Sequence, residues 1–355
     1  MKHTPEQEPL NQAVVDMMVD RIDGARAEAR EGFGFSPTLW HTLDVAGLTR
    51  LMVPEAAGGS GGSFEDLAVV LRVCGFYAAP VPIAETNLAA WSLSQAGQRV
   101  PPGPLTLAVD PLGLLEVTSS GTTWRATGPL AGVPWAATAS SIVIVLHEKD
   151  MQLVGSICGP DLAVSPAGNI AHEPSADVRL PPGGTLLNTL PVMATPVPIM
   201  LSLTRAVLIT GAARRTLQLT TQYAKARHQF GRPIAAFQAV GQQLAALAGA
   251  AEQADAMIDL AVGALSRGAD ASAAALAAKI SADEAAQTAI RVGHQVHGAI
   301  GVTEEYELHH YTTRLMAWRD QGGSEAQANF ALGQRVVSDP DALWALVAAS
   351  SGAGR

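Results

Sequence analysis

The chain has 355 residues, 48% of them hydrophobic and only 15% charged, enough apolar material for one large or two to three modest cores and too much for a disordered chain. A formal net charge of −9 without any basic run argues against nucleic acid as partner, since phosphate binding needs clustered Lys and Arg. Two distant cysteines, Cys74 and Cys158, and a polar opening (MKHTPEQEP) argue against a disulfide framework and a secretory leader, and apolar stretches interrupted within about 18 residues argue against a membrane span. A cytoplasmic oligomer is the expectation.

In chain order, the spacing of Leu10, Val14, Met17, Met18 and Ile22 predicts a helix leaving near Glu31. A second helical segment is expected over 37–51. The loop EAAGGSGGS (55–63) follows, and a helix resumes over 64–76 behind Ser63 as N-cap. From about residue 101 short apolar runs alternate with Gly, Pro, Ser and Asp, which predicts strands at 105–109, 115–117, 141–146, 152–157 and 178–180. Beyond residue 198 the pattern is helical again, over 199–226, 240–266, 272–296 and 324–337. The alanine density of these segments favours helix and lets neighbouring helices approach closely. The reading is an α+β, mainly α protein with a helical domain (1–100), a small β domain (101–195) and a helical bundle (196–355).

Two stretches carry candidate chemistry. In the first, Arg227-His-Gln-Phe230-Gly231-Arg-Pro233-Ile-Ala-Ala-Phe237-Gln238, an arginine and an amide flank an aromatic at a helix break. Arginine offers a fork of donors to a diphosphate, and Phe230 offers a stacking face. The bland alternative is an arginine that complements a helix C-terminus beside a surface amide. In the second stretch, Gln295-Val-His297-Gly298-Ala-Ile-Gly301, glycines after a helix let backbone amides approach a ligand, or merely cap the helix. No strand precedes these glycines, so a Rossmann-type site is unsupported.

Three segments, PTLWHTLDVAGLTRLMVPEAAGGSGGSFEDLAVVLRVCG, RHQFGRPIAAFQ and QVHGAIGVTEEYELHHYTTR, together resemble the acyl-CoA dehydrogenase family in order and approximate spacing over nearly the whole chain. The resemblance implies an N-terminal helical domain, a middle β domain and a C-terminal four-helix bundle. It also implies FAD as cofactor, an acyl-CoA substrate and an electron-transfer flavoprotein as electron acceptor. The activity implied is α,β-dehydrogenation, in which a carboxylate takes the α-proton and the β-hydrogen leaves as hydride to the flavin. By the same resemblance Arg227 meets the FAD pyrophosphate and Phe230 packs on the adenosine side. Gln238 assists from a neighbouring subunit, and Gln295, Gly298 and Gly301 meet FAD across the subunit boundary, which implies a dimer or larger.

The family's base is usually a Glu in an E-G-T-S-like segment. Here the matching stretch is Asp320-Gln321-Gly322-Gly323-Ser324, with Gln321 at the Glu position, and an amide cannot accept the proton. The alternative position used by some members falls near Leu201. Asp320 is therefore the candidate base, against its reading as a carboxylate paired with Arg319, while Glu325 reads as a first-turn helix charge. The family's flavin-facing Thr/Ser segment is not recognisable over 128–139. Both departures fit relatives that pair a base-bearing subunit with one lacking it, so the partner is expected to be a homologous subunit in a homo- or hetero-oligomer. A flavin-free scaffold of the same fold is the reading outside enzymes. His294, His297, His309 and His310 lack the companions of a metal site, and no G-x-S-x-G elbow is present.

Overall fold

The computed structural model describes residues 6–110, 113–148, 151–158 and 163–339. The chain divides into two compact units: Met1–Val15 with Ala68–Ala78 and Ser202–Arg355, and Asp16–Leu67 with Ala79–Leu201.

The N-terminal helices follow from their punctuation. Helix α1 (Glu8–Glu31) buries Val14, Met18, Ile22, Ala25 and Ala29, one stripe at three- and four-residue spacing. Helix α2 (Pro37–Val45) starts at Ser36, whose Oγ accepts the Leu39 N–H, with Pro37 in its first turn. The single helix expected over 37–51 divides at Gly47, whose φ of +74° no helix admits, and a short 3-10 turn at Leu48–Arg50 follows. Ser63 is the expected cap of α3 (Phe64–Tyr77): its Oγ accepts the Asp66 N–H, and the Asp66 carboxylate accepts the Ser63 N–H at 2.9 Å. Helix α4 (Ile83–Gln95) is buried along most of its length, and Asn87 ties it to the chain around Leu48 and Leu51.

Among the described residues nine strands lie in the second unit: β1 (Leu105–Val109), β2 (Glu116–Ser120), β3 (Thr123–Thr127), β4 (Pro129–Pro134), β5 (Ser141–Glu148), β6 (Met151–Cys158), β7 (Ala163–Gly168), β8 (Pro174–Arg179) and β9 (Thr185–Thr189). Six form a sheet in the order β1-β5-β6-β9-β3-β2, and β4-β8-β7 form a second. Strands β1 and β5 pair in parallel, and the remaining pairs described are antiparallel. Ile142, Ile144, Leu146, Leu153, Ile157, Val178 and Leu187 share one core. Val143 and Val145 are buried too, so β5 is covered on both faces and its sequence is a continuous apolar run.

The strands the sequence reading passed over, β3, β4, β7 and β9, are largely solvent-facing or carry Pro and Gly. In β4 a register shift between Leu130 and Val133 spaces its two buried residues three apart, which masks the period of two.

In the first unit α5 (Val197–Ala226, from Ser202 onward), α6 (Gln238–Ser266), α7 (Ser272–His297), α8 (Leu308–Trp318) and α9 (Glu325–Ser338) build the C-terminal bundle. Helix α7 packs against α6, α8 and α9, burying Ala275, Ala278, Ala282, Ala285, Ala286 and Ala289. A Cβ added at Gly293 would sit 3.2 Å from Thr216 Cγ2 of α5, so α5 closes the bundle on that side. Helices α3 and α5 cross backbone to backbone: a Cβ at Gly75 would lie 2.2 Å from the Leu208 carbonyl oxygen, and one at Gly211 2.3 Å from that of Arg72. Buried Asp255 of α6 forms an ion pair with Arg72 of α3 at 3.1 Å and accepts a hydrogen bond from Arg214 of α5.

One described helix, Val197–Ala226, is long and apolar enough to cross a membrane, contrary to the sequence expectation that no stretch qualifies; 83% of its most apolar window is buried inside the protein. That burial gives the apolarity a core role. The arrangement is the α+β, mainly α fold expected.

Candidate functional site

Helix α5 ends at Ala226, where the predicted helix over 199–226 ends, because the chain there turns into a two-residue hairpin. His228–Gln229 pairs with Arg232–Pro233, and Phe230 (φ +53°) with Gly231 (φ +78°) forms its tip. Two successive left-handed residues are what such a tight turn requires. The hairpin is closed by the Ile234 N–H donating to the Arg227 carbonyl at 2.8 Å. The Arg232 guanidinium lies 4.2 Å above the Phe237 ring, and Phe230 meets that ring edge-on at 6.1 Å. Phe230 is nonetheless 91% exposed. Arg227 and Gln238, the first residue of α6, are also exposed, and the Arg227 guanidinium has no partner among the described residues. An uncommitted guanidinium beside an open aromatic suits an anionic, planar group arriving from outside the chain.

The second motif lies at the end of α7. Gly298 has φ +66° and ψ −144°, a conformation essentially reserved for glycine, and leads into a 3-10 turn, Gly298–Val302. A Cβ at Gly301 would stand 3.0 Å from His297 Cβ and 3.1 Å from Leu308, so the turn is pressed onto the bundle. Gln295 and Gly298 remain exposed. His297 joins this end of α7 to the end of α5: its ring stacks on Tyr223 at 4.5 Å, one turn before Arg227, and lies 4.8 Å from Tyr306. The structure thus brings both motifs to one end of the bundle. His297 Nδ1 is 2.8 Å from the Gly293 carbonyl; a carbonyl only accepts, so Nδ1 carries the proton. Burial pushes His297 and His294 below the ordinary imidazole range, and neither belongs to a group of three metal-type ligands among the described residues.

The α8–α9 turn lies elsewhere. Asp320 is exposed, and Arg319 pairs with Glu325 at 3.3 Å rather than with Asp320. Glu325 also accepts from Gln287 at 2.9 Å. Gln321 Oε1 is buried without a hydrogen-bond partner. Leu201, at the other position considered for a base, is 6% exposed in α5.

Beneath the turn sits a pair to which the sequence reading gave no role: Lys279 and Asp283, both at 0% side-chain exposure and 2.5 Å apart. Lys279 Nζ also donates to the Arg319 carbonyl at 2.8 Å. Desolvation pushes the Asp283 carboxyl up to about 6 and the Lys279 ammonium below its usual range. The only sequence signal was an opposite-charge pair four residues apart in an alanine-rich helix, which usually marks a solvated face.

Lys279 and Gln295 are separated by sixteen residues of α7, about 24 Å at the helical rise of about 1.5 Å per residue. The candidate base and the Gln295–Gly301 motif of one chain therefore stand far apart along the bundle.

The fold is that of solved acyl-CoA dehydrogenases. The Tcur3481-Tcur3483 steroid ACAD matches with a TM-score of 0.86 at 27% identity, over 95% of this chain and 99% of that one. The ChsE4-ChsE5 complex of Mycobacterium tuberculosis matches with a TM-score of 0.85 at 22% identity, over 95% and 98%. In sequence, acyl-CoA dehydrogenase IpdE2 of Mycobacterium tuberculosis is 29% identical over 321 residues, 87% of this chain and 91% of that protein. Models of the acyl-CoA dehydrogenase N-terminal and C-terminal domains match residues 4–99 and 200–334, and the chain belongs to this family.

Proposed function

We propose that this chain is a flavin-binding component of an acyl-CoA dehydrogenase, divided into domains at 1–100, 101–195 and 196–355, and that it holds FAD jointly with an adjacent protomer. The observation that carries the reading is the pairing, at one end of the bundle, of the uncommitted Arg227 and open Phe230 with the exposed Gln295 and Gly298. Arg227 would hold the pyrophosphate, Phe230 would cover the adenosine side, Gln238 and Gln295 would supply amides, and Gly298 and Gly301 would let backbone approach. These groups face outward and lie about 24 Å of helix from the candidate base turn of the same chain, which suits action on a flavin whose reactive end belongs to the neighbour. When bound, FAD supplies the acceptor for the β-hydride of the acyl-CoA thioester; electrons then pass to an electron-transfer flavoprotein.

A second observation refines the reading. Gln321 stands where the family places its base, and the one acidic residue beside it, Asp320, is exposed rather than desolvated. The base in the assembled site is therefore assigned to a homologous subunit, with Asp320 as the candidate within this chain. The similar Tcur3481-Tcur3483 steroid ACAD and the ChsE4-ChsE5 complex make a hetero-oligomer and a steroid-derived acyl group the first assembly and substrate class to test. The test is co-expression with a homologous subunit, purification of the complex and a flavin absorbance spectrum before and after adding acyl-CoA. Co-purified yellow protein that bleaches is the expected result. A chain colourless in every pairing overturns the proposal and leaves a flavin-free scaffold.

A further inference from the structure

The α8–α9 turn contains Gly322 (φ +72°) and Gly323 (φ +102°) in succession, the two residues with most conformational freedom to lose. Such a turn holds one shape only if its ends are fixed. On its far side Ser324 fixes it through a reciprocal capping box with Gln327. Across its mouth Arg319 reaches Glu325 at 3.3 Å, which joins the two ends directly. On its near side the Arg319 carbonyl accepts from Lys279 Nζ at 2.8 Å, from within α7. Nothing about helix stability calls for a lysine there, because at 0% exposure an ammonium forfeits its hydration. Asp283, one turn along α7, compensates the charge at 2.5 Å and aims Nζ at the carbonyl.

We infer that Lys279, held by Asp283, is a positioning residue that clamps the entrance of the 319–324 turn and so fixes Asp320 and Gln321 against the acyl group. Resting on the reading of that turn as a wall of the acyl site, the inference assigns to α7 a second task besides packing: it carries the flavin-facing motif at its end and the anchor of the acyl-facing turn near its start. The clamp acts through the backbone of Arg319, so neither Lys279 nor Asp283 touches the reacting atoms.

The decisive variant is Lys279→Met/Asp283→Val, which replaces the pair by apolar groups of comparable volume, a change that buried ion pairs commonly tolerate without loss of stability. It removes the donor to the Arg319 carbonyl and leaves the capping box intact. In the co-purified complex, amide hydrogen exchange of residues 320–324 should accelerate at least tenfold, with exchange in α6 unchanged. With flavin content equal to that of the parent complex, flavin reduction by acyl-CoA should slow by at least tenfold. Arg335→Ala, which removes the exposed pair with Asp270, is the control for loss of an ion pair elsewhere in the bundle and should alter neither reading. Unchanged exchange at 320–324 overturns the clamp. Faster exchange with an unaltered reduction rate overturns its positioning role. A parent complex that no acyl-CoA reduces counts against the proposed function alone, since the exchange measurement still decides the clamp.

Discussion

The two ends of α7 are built on opposite principles. At its C-terminal end Arg227, Phe230, Gln238, Gln295 and Gly298 are exposed, and the Arg227 guanidinium has no partner among the described residues. Nearer its start the charges of the clamp are committed, Lys279 to Asp283 and a carbonyl, Arg319 to Glu325 and Glu325 to Gln287, while Asp320 stays exposed. Open groups are the signature of a surface completed by something outside the chain, and saturated groups are the signature of a fixed scaffold. On the proposed assignment, this scaffold holds the turn in which Gln321 matches the carboxylate position that the family resemblance implies, as a subunit shaping a shared site would need.

The comparison can be broken at several points. The largest effect is expected at the saturated end. Lys279→Met alone strands the Asp283 carboxylate in the interior and should cost about 3–5 kcal/mol of stability, read by denaturant unfolding; a loss below about 1 kcal/mol, as for exposed ion pairs, would mean the pair is not buried in solution. At the open end, Arg227→Ala removes charge-assisted bonds worth about 1.5–3 kcal/mol, so FAD affinity should fall roughly 10–100-fold with little change in unfolding midpoint. Unchanged flavin affinity would detach Arg227 from the cofactor. Gly298→Ala forces a side chain into a glycine-only conformation, although no atom lies within 4 Å of the new Cβ, and should cost about 1–3 kcal/mol. A neutral result would show that the turn relaxes.

Protonation sharpens the contrast further. Burial raises the Asp283 carboxyl from an ordinary 3.8 to about 6, so the folded protein retains a proton that the unfolded chain has already released. That contribution is fully present below about pH 4 and is lost as pH rises through 6. Unfolding free energy of the parent relative to Asp283→Asn should therefore decline between pH 4 and 6; a rising difference would refute the assignment. The smallest effect is expected for Asp320→Asn. Removing a general base typically costs about 10²–10⁴-fold, whereas this exposed carboxylate should change flavin reduction by no more than about threefold. A hundredfold loss would return the base to this chain.

Most of the architecture was legible because burial leaves a period. The long helices 199–226, 240–266 and 272–296 lie within a residue or two of α5, α6 and α7, and β1, β5 and β6 stood out as apolar runs. Among the elements passed over, β3, β4, β7, β9 and α8 are short or polar, or are shifted by a bulge, so their packing partners rather than their own residues specify them; α4 is buried along most of its length and so shows no single stripe. Candidate flavin-binding residues were legible as a motif, yet their exposure was not, because exposure depends on what else the chain places nearby. Lys279 and Asp283 were invisible for the same reason: on a helical wheel they look like a solvated pair, and only the packing of α7 within the bundle takes them out of water.

The crossing of α3 and α5 imposes one last condition. Gly75 and Gly211 each admit the opposing main chain so closely that a single methyl group at either would overlap a carbonyl oxygen. In a saturation library, tolerance at these two sites should be nearly nil, and a second-site revertant for either would have to move a helix axis rather than trim a side chain. The angle at which α3 leans on α5 is locked by two hydrogen atoms.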